Sequence, residues 1–164
     1  DVLEFHHKNL NSKVVVKKES IYNASGEFDV IFAHGLMYHL RHPLLAIDNM
    51  YKCCKGMFIF ETFVDIRNPN QESAESKFYR TTELGTVSNW TGATSGCYNS
   101  WLKDAGFKHV FYTDAGVAPL GAPRQIFVGL VDDTYKDLFI ANPKLHYCDD
   151  EYWETVLKFT KFSQ

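Results

Sequence analysis

Three side chains capable of acid–base chemistry follow closely on two short apolar runs. Tyr38 and His39 come soon after the run at residues 28–33, and Glu61 comes directly after the run at residues 57–60. Glu61 can act as a base or hold a polar group of a substrate, and the glycine break before Tyr38 and His39 is expected to aim at least one of them into the crevice at the strand ends. Tyr38, His39 and Glu61 therefore form the candidate catalytic set. The alternatives are structural: an aromatic ring at a helix start for Tyr38, a solvated or core-capping ring for His39, and a carboxylate that caps a turn for Glu61.

Substrate-binding candidates lie on either side of Glu61. Arg41 can hold a carboxylate or phosphate through a forked pair of hydrogen bonds, although simple solvation at the surface is the commoner role. Tyr79 and Trp90 lie in a polar, irregular segment at residues 65–92, and a segment of that length in a compact domain is usually functional or disordered. These two aromatic rings predict either a lid over a pocket or a small core beneath the loop.

The histidines and cysteines do not have the spacing of a metal site. His34, His39 and His42 form an H-x4-H-x2-H pattern, which matches no typical zinc or transition-metal geometry, so we expect no metal. The four cysteines include the neighbours Cys53 and Cys54 and have no ligand spacing either. We interpret all four as reduced thiols, which indicates a cytoplasmic location.

A strand–helix–strand pattern carries the catalytic candidates. Residues 28–33 and 57–60 are apolar without alternation, as in strands that are buried on both faces. Between them, Pro43 suits the first turn of a helix and Gly56 suits its end. Two parallel strands joined by one helix place their carboxyl ends side by side, where ligands collect in such sheets. The apolar face of this helix is predicted to consist of Leu44, Ile47, Tyr51 and Cys54, with Leu45 and Met50 beside it.

The remaining elements extend this unit into a mixed sheet. Residues 1–12 are predicted to be a connection, and a helix is expected to begin at Thr94 or Ser95 and to end at Gly106. Residues 124–131 are predicted to run antiparallel to the preceding strand, because the connection between them is short and not helical. The fold class is therefore α/β, doubly wound, and mostly parallel with a C-terminal antiparallel strand. The predicted strands are residues 13–18, 28–33, 57–60, 107–113 and 124–131, and a terminal helix is predicted at residues 151–162.

Size and charge limit the class of partner. The 164 residues carry a formal net charge of −3 and are predicted to form a domain at residues 1–132 with an extension at residues 133–164. No apolar run approaches the roughly 20 residues of a membrane span, so we expect no membrane partner. Lysine and arginine are not clustered, which argues against nucleic-acid binding by this chain alone. The expected partner is a small-molecule or nucleotide-like substrate.

Four short motifs in fixed order resemble a known family. They are GLMYHLRHPL from Gly35 to Leu44, Glu61-Thr62, Ser88-Asn89-Trp90 and Ala105-Gly106-Phe107. This order and spacing resembles the class I S-adenosylmethionine-dependent methyltransferases, in particular the branch related to the enzymes that transfer a carboxymethyl group to the wobble uridine of tRNA. The resemblance covers roughly residues 13–131.

The resemblance implies a Rossmann-like sheet, S-adenosylmethionine as the cofactor, and transfer of a one-carbon unit to an oxygen, nitrogen or carbon nucleophile. It also implies that substrate lies above Tyr38, His39 and Glu61 and beneath the loop that carries Tyr79 and Trp90. Asp1 would then stand where the family has its ribose-binding acid, and Ser20 where it often has the acid that contacts adenine. The residues expected to contact the cofactor are Asp1, Ser20, Ile21, Ala33, His34 and Gly35.

One departure from the family pattern leaves the reaction open. No G-x-G segment follows a strand before Lys13, so the Gly-rich cofactor loop is expected to precede residue 1, and the sheet is expected to be incomplete at its N-terminus. The strand at residues 28–33 would then have an open edge that can pair with another strand. Two alternatives therefore stay open: a non-catalytic, methyltransferase-like subunit that pairs through this edge, and a different small-molecule enzyme on the same scaffold.

Overall fold

The computed structural model describes residues 2–68, 70–79, 88–114, 116–117 and 122–160, and the elements below lie within them. The strands are β1 Phe28–His34, β2 Cys54–Phe63, β3 Ser76–Phe78, β4 Thr91–Ala93, β5 His109–Thr113, β6 Gly116–Val117, β7 Pro123–Leu130 and β8 Leu145–Tyr147; the helices are α1 Val2–Asn9, α2 Pro43–Cys53, α3 Ser95–Ala105, α4 Lys136–Ile140 and α5 Asp150–Thr160. One sheet organises the chain in the order β1-β2-β7-β5-β8, with β6 paired to β7. β1 and β2 are parallel, and β7 runs antiparallel to both of its neighbours, β2 and β5.

The β1–α2–β2 unit forms as the sequence predicts, with Pro43 in the first turn of α2. The prediction that the first strand is buried on both faces is wrong, because β1 is the outer strand of the sheet and one of its faces is uncovered. The buried face of the helix is rotated from the predicted one: Ala46, Ile47 and Met50 are buried, whereas Leu44 and Leu45 are about half exposed. The helix also ends at Cys53, before Gly56. Gly56 instead belongs to β2, where a Cβ atom would lie 2.6 Å from a backbone oxygen of β1, so this glycine permits the close approach of the two parallel strands.

The predicted helix and antiparallel pair in the second half of the chain are confirmed. Thr94 caps α3 by accepting a hydrogen bond from the Cys97 backbone, and Gly106 ends it in the left-handed conformation. β7 pairs with β2 on one side and with β5 on the other, so the last strand of the predicted set runs against its neighbours. This arrangement brings the start of β7 to the edge where β1 and β2 end.

Two predictions for the N-terminal residues are wrong. Residues 2–9 form a helix, α1, where a connection was predicted. Residues 13–18 form no strand, and the Val14 and Val15 side chains are 65% and 79% exposed. The β-branched valines favour a strand, but that preference is realised only where a neighbouring strand supplies a ladder and a face to pack on.

The main core lies between one face of the sheet and the helices α2 and α3. It is rich in aromatic rings: Phe60 contacts both Tyr98 and Phe127, at centroid separations of 5.8 and 5.0 Å. The opposite face is covered near β5, where Phe111 packs on Phe139 of α4. It is open at β1, where alternate side chains are exposed. These are Phe28, Val30 and Phe32, with exposed fractions of 45%, 52% and 64%.

The C-terminal extension joins the same sheet. β8 pairs with β5 in antiparallel register, and Tyr152 and Trp153 of α5 pack against the main core. The predicted terminal helix is confirmed over Asp150–Thr160, and residues 161–162 of the prediction lie outside the described residues. The boundary at residue 132 stays a prediction.

Two further features concern the whole of the described chain. All four cysteines are buried and free of disulfide bonds. Within the described residues, no helix is both long and apolar enough to cross a bilayer.

Candidate active site at the carboxyl ends of the strands

The carboxyl ends of β1 and β2 are joined at Gly35. Its backbone N–H donates a 2.9 Å hydrogen bond to the Glu61 carbonyl oxygen, and its φ of +65° turns the chain sharply out of the strand. The chain then enters a short 3₁₀ helix at Met37–His39. Met37 is fully buried and anchors this helix in the core, so the side chains of Tyr38 and His39 are held close to the strand ends.

A forked ion pair lies directly beside this turn. Arg124, at the start of β7, donates from Nε and Nη2 to the two carboxylate oxygens of Glu61, and the Nη2 bond is 2.6 Å long. Both side chains are largely buried, with exposed fractions of 18% for Arg124 and 12% for Glu61. Such a planar, bidentate pair fixes the orientation of the guanidinium.

Tyr38 completes the cluster from above. The guanidinium carbon of Arg124 lies 4.8 Å from the centroid of the Tyr38 ring, within the range of a cation–π contact. A Cβ atom on Gly35 would lie 3.4 Å from Arg124 Nη2 and 3.6 Å from the Tyr38 hydroxyl. Gly35, Tyr38, Glu61 and Arg124 therefore form one compact group at the strand ends.

The charges in this group stabilise one another. The hydrogen bonds from Arg124 lower the pKa of Glu61 against the opposing effect of burial, and the nearby His34 lowers it further. The same pair, together with a hydrogen bond to Tyr38, raises the pKa of Arg124. Glu61 is therefore ionised and bound at neutral pH, which makes it a poor proton acceptor and a good orienting group for Arg124.

His34 lies at the exposed rim of this group. The parallel register pairs His34 with Glu61, and its Nε2 lies 3.4 Å from Glu61 Oε2. The ring is 68% exposed, so an incoming ligand can reach it. In the described part of the chain, no group of three or more His, Cys, Asp or Glu side chains is placed to hold a metal ion.

His39 and Trp90 link the strand ends to the long loop. His39 Nδ1 lies 2.9 Å from the Ser88 carbonyl oxygen, and the Trp90 backbone N–H donates a 2.8 Å hydrogen bond to the Tyr38 carbonyl oxygen. The Arg41 guanidinium lies 5.3 Å from the centroid of the Trp90 ring. Arg41, His39 and Trp90 thus form a second, more exposed group next to the first.

Tyr79 has a different environment. Its side chain is fully buried, and its hydroxyl donates to Asp65 Oδ2 and accepts from Arg67 Nη2, each at 2.6 Å. Arg67 also binds the Asp65 carboxylate in a forked pair and lowers the pKa of Asp65 to about 2. For Tyr79 this environment matches the second of the two arrangements that the sequence predicts, a small core beneath the loop. A cavity of about 440 Å³ adjoins this cluster and is also lined by Lys77 and Thr94.

The other predicted cofactor contacts lie apart from the ion pair. Ser20 caps the short 3₁₀ helix Ile21–Asn23, because its side chain accepts a hydrogen bond from the Tyr22 backbone N–H. The Ile21 carbonyl oxygen accepts a hydrogen bond from the Asn49 side chain of α2. The Ala33 side chain is buried in the core, so only its backbone is available at the strand end. Asp1 lies outside the described residues. Cofactor binding by Asp1, Ser20, Ile21, Ala33, His34 and Gly35, and the substrate-binding roles of Arg41, Tyr79 and Trp90, stay predictions.

Arg124 was missing from the candidate residues, although the sequence contains a signal for it. A strand antiparallel to its neighbour begins at the edge where that neighbour ends, so a polar residue at its start belongs to the site. Arg124 lies opposite Phe63, and Glu61 is two residues away on the same face, which is within diagonal reach of a long side chain.

Comparisons with known proteins concern the sequence and the fold. No family model matches the chain. Over 100 residues the chain is 29% identical to the tRNA U34 carboxymethyltransferase of Hahella chejuensis (strain KCTC 2396), a match that covers 60% of this chain and 30% of that protein. The chain therefore aligns with less than a third of the length of this curated relative.

Solved structures give the fold. The N-terminal domain of EvdMO1, crystallised with SAH bound, has a TM-score of 0.60 at 15% identity, covering 79% of this chain and 59% of that one. A putative O-methyltransferase from Nostoc punctiforme PCC 73102 has a TM-score of 0.54 at 19% identity, covering 79% of this chain and 42% of that one. The chain has a methyltransferase-like fold. The resemblance inferred from the four motifs, and the α/β, Rossmann-like fold class, are confirmed.

Proposed function

We propose that this chain forms the carboxyl-terminal part of an S-adenosylmethionine-dependent methyltransferase domain, which transfers a one-carbon group to an acceptor not yet identified. The observation that carries the proposal is the group Gly35, Tyr38, Glu61 and Arg124 at the strand ends of a methyltransferase-like sheet. Parallel sheets bind ligands at this edge, and one-carbon transfer depends mainly on the orientation of donor and acceptor.

The residues at the strand ends suit one side of the cofactor. Gly35 has no side chain and a left-handed backbone, and the space above it is bounded by the Tyr38 hydroxyl and Arg124. When bound, S-adenosylmethionine supplies the electrophilic carbon attached to its sulfonium. Ala33, His34 and Gly35 would contact it on this side, and the contacts of the Gly-rich loop would come from a longer chain or from a partner, because these residues do not encode that loop.

His39 is the best-placed proton acceptor for the transfer. The Ser88 carbonyl oxygen can only accept a hydrogen bond, so His39 Nδ1 must carry the proton and donate it. The other ring nitrogen, Nε2, then carries the lone pair whenever the ring is uncharged, and the side chain is exposed to an incoming acceptor. We therefore assign to His39 the removal of a proton from the acceptor group.

Glu61 has a positioning role in this proposal, in place of the base role that its type alone suggests. Its carboxylate is held by Arg124 and its pKa is lowered, so it remains charged and keeps the guanidinium beneath Tyr38. Arg124 and Tyr38 would then orient the substrate above Gly35.

The open edge of β1 is the expected point of attachment for the rest of the catalytic unit. Among the described strands β1 has no partner on its outer side, and Phe28, Val30 and Phe32 are exposed on one of its faces. An edge strand with apolar side chains readily pairs with another strand. We propose that a strand from a longer chain or from a partner pairs here and brings the cofactor loop to the strand ends. The four free, buried thiols favour a reducing, cytoplasmic compartment.

Transfer of a carboxymethyl group is a second candidate reaction. The curated relative is named for that reaction, and a guanidinium beside a tyrosine hydroxyl at the strand ends is suited to a carboxylate. In this chain Arg124 already binds Glu61, so an incoming carboxylate would have to share the guanidinium. With a donor whose sulfonium carries a carboxymethyl group offered beside S-adenosylmethionine, mass spectrometry of the modified acceptor distinguishes carboxymethyl from methyl transfer.

The decisive experiment uses the protein produced from its complete reading frame. It is incubated with S-adenosylmethionine and a panel of hydroxyl and amine acceptors, and formation of S-adenosylhomocysteine is followed by mass spectrometry. We expect acceptor-dependent product formation that falls at least tenfold in Arg124→Lys, because lysine lacks the fork that binds Glu61. Lys55→Arg, an exposed conservative change at the far end of β2, is the matched control.

The two rival functions give different results in this experiment. A non-catalytic subunit would form no S-adenosylhomocysteine with any acceptor, whether or not the cofactor binds. A different enzyme on the same scaffold would consume S-adenosylmethionine without transferring its one-carbon group to any acceptor. Either result would overturn the proposed transfer.

A further inference from the structure

A second cavity, of about 250 Å³, opens on the α3 side of the sheet. It lies between the end of β5, the start of β7 and the C-terminal helix α5, and its lining includes Ser95, Tyr112 and Tyr152. Gln125 also lines it, and this residue is the neighbour of Arg124 on the opposite face of β7. The C-terminal extension therefore supplies one wall of a cavity next to the strand-end site.

The start of α3 offers few donors to this cavity. The first backbone N–H groups of α3 are already engaged, since Ser95 N–H donates to Gln71 Oε1 and Gly96 N–H donates to the Gln71 carbonyl oxygen. The Ser95 hydroxyl is likewise used, because it donates a 2.7 Å hydrogen bond to Gln125 Oε1 and lies 3.4 Å from Gln71 Oε1. An anion would therefore find few donors at the helix start, whereas Gln125 Oε1 retains acceptor capacity.

Two aromatic rings form the cavity wall. The rings of Tyr112 and Tyr152 contact each other at a centroid separation of 5.8 Å, and Asn99 Nδ2 holds the Tyr152 hydroxyl with a 2.6 Å hydrogen bond. Burial raises the pKa of Tyr112 to about 12 and also raises the pKa of Tyr152, so both phenols are neutral at physiological pH. The negative faces of such rings attract organic cations.

The charged residues of the lining are both acidic. Glu72 and Asp114 line the rim, and the described lining contains no lysine or arginine. Asp114 Oδ1 lies 2.8 Å from His146 Nε2, and the His146 ring lies 5.0 Å from the Tyr112 ring, so His146 is the basic group that faces this rim. Acidic rim, acceptor oxygens and aromatic wall all favour a positively charged ligand.

We propose that this cavity is a binding site for a small organic cation of the amine class, such as a primary or quaternary ammonium group. Tyr112 and Tyr152 contact its apolar substituents, and Glu72 and Asp114 supply the opposite charge. The volume fits an ammonium head group with a short chain. The proposal does not depend on the transfer reaction, since the cavity lies on the other face of the sheet from the Glu61–Arg124 pair.

The test compares choline with 3,3-dimethylbutan-1-ol, its neutral isostere, by NMR titration of the chain described here. We expect choline to bind about tenfold more tightly than the neutral alcohol, the factor that a cation–π contact and nearby carboxylates supply. The double variant Glu72→Gln/Asp114→Asn should remove most of this preference, and raising the salt concentration should weaken binding. Tyr152→Leu should abolish binding, whereas Tyr152→Phe should retain it.

Controls keep the result interpretable. Asp48→Asn removes an exposed carboxylate on α2, away from the cavity, and should leave choline affinity unchanged. Glu72 and Asp114 are exposed, so the double variant should keep its melting temperature. Equal affinity for the two ligands, unchanged choline affinity in the double variant, or shifts confined to residues outside the cavity would overturn the assignment. None of these readouts involves S-adenosylmethionine.

Discussion

Arg124 and Glu61 are 63 residues apart in the chain, yet they form a forked ion pair with an Nη2–Oε2 distance of 2.6 Å. Glu61 lies near the end of a strand and Arg124 at the start of the antiparallel strand beside it. The pair therefore ties together two strands at the edge where β1 and its Gly35 turn also end. The pair therefore holds the charged guanidinium of Arg124 in one orientation at the centre of the candidate site.

Breaking this pair should affect stability and turnover in different ways. Glu61→Gln removes the charge that holds the largely buried Arg124 guanidinium, so we expect a loss of about 1–2 kcal/mol in the free energy of unfolding. Arg124→Lys keeps the charge and should cost less stability, yet it should lower turnover in the complete protein because the fork is lost. Denaturant titration and initial rates on the same samples measure both quantities. Equal rates for Arg124→Lys and the unmodified protein would exclude an orienting role.

Gly35 should not tolerate a side chain. Its φ of +65° is unfavourable for other residues, and an added Cβ would lie against Arg124 Nη2 and the Tyr38 hydroxyl. We expect Gly35→Ala to lower the free energy of unfolding by about 1–2 kcal/mol, and Gly35→Asn to lower it by less, since asparagine adopts the left-handed conformation more readily. Gly116→Ala is the control, because Gly116 has no positive φ and, among the described residues, an added Cβ there would have one atom within 4 Å, at 3.8 Å. Equal losses at both glycines would contradict this interpretation.

The elements that could be predicted were those with local signals. The proline and the apolar spacing located α2, and the threonine cap and the glycine located α3. The face that α2 buries was less predictable, because both faces carry apolar residues: Leu44 and Leu45 are half exposed while Ala46 is fully buried. The spacing of apolar residues predicts that a helix has an apolar face, but packing against the neighbouring helix and sheet decides which residues that face buries.

Features that depend on pairing between distant segments could not be predicted. Residues 13–18 have the composition of a strand, but no strand of the described chain pairs with them. β8 and the β3–β4 pair are three residues each, too short for a period of two to stand out. The start of an antiparallel strand could have indicated Arg124 as a site residue, but its pairing with Glu61 required the register, which places the two diagonally opposite each other.

The Asp65–Arg67–Tyr79 cluster should make stability depend on pH in the acid range. Arg67 lowers the pKa of Asp65 to about 2, below its unfolded value of about 3.9, so the unfolded chain binds the proton more readily. The stabilisation is therefore present above pH ~4 and is lost as the pH falls toward 2. Asp65→Asn should cost about 2 kcal/mol at pH 7 and almost nothing near pH 2.

Denaturant titrations between pH 2 and pH 7 measure this dependence. Asp104→Asn, on an exposed position of α3, is the control and should leave the curve unchanged. A constant difference between Asp65→Asn and the unmodified protein across this range would show that the carboxylate charge does not stabilise the loop.

The 164 residues alone should bind S-adenosylmethionine weakly or not at all. A Gly-rich loop normally supplies close backbone contacts and a helix N-terminus facing the ligand, and these residues encode neither. Isothermal titration calorimetry of the isolated chain, compared with the product of the complete reading frame, measures the difference. Micromolar affinity in the isolated chain would mean that another segment replaces the loop.

Variants of Tyr38 and His39 distinguish a role in the reaction from a role in packing, because the two roles predict different effects on turnover and on stability. His39 is exposed, so His39→Ala should change the free energy of unfolding by less than about 1 kcal/mol. If its Nε2 accepts the proton of the acceptor, turnover in the complete protein should fall about 100-fold, and added imidazole should restore part of it. Tyr38→Phe removes only the hydroxyl above Gly35 and should lower turnover by less, about tenfold, with the fold intact.

His42→Ala, at an exposed neighbouring histidine, is the control and should affect neither stability nor turnover strongly. Melting temperature and turnover measured on the same samples decide the matter, because a packing role for His39 would lower the melting temperature while the activity per folded molecule stayed normal.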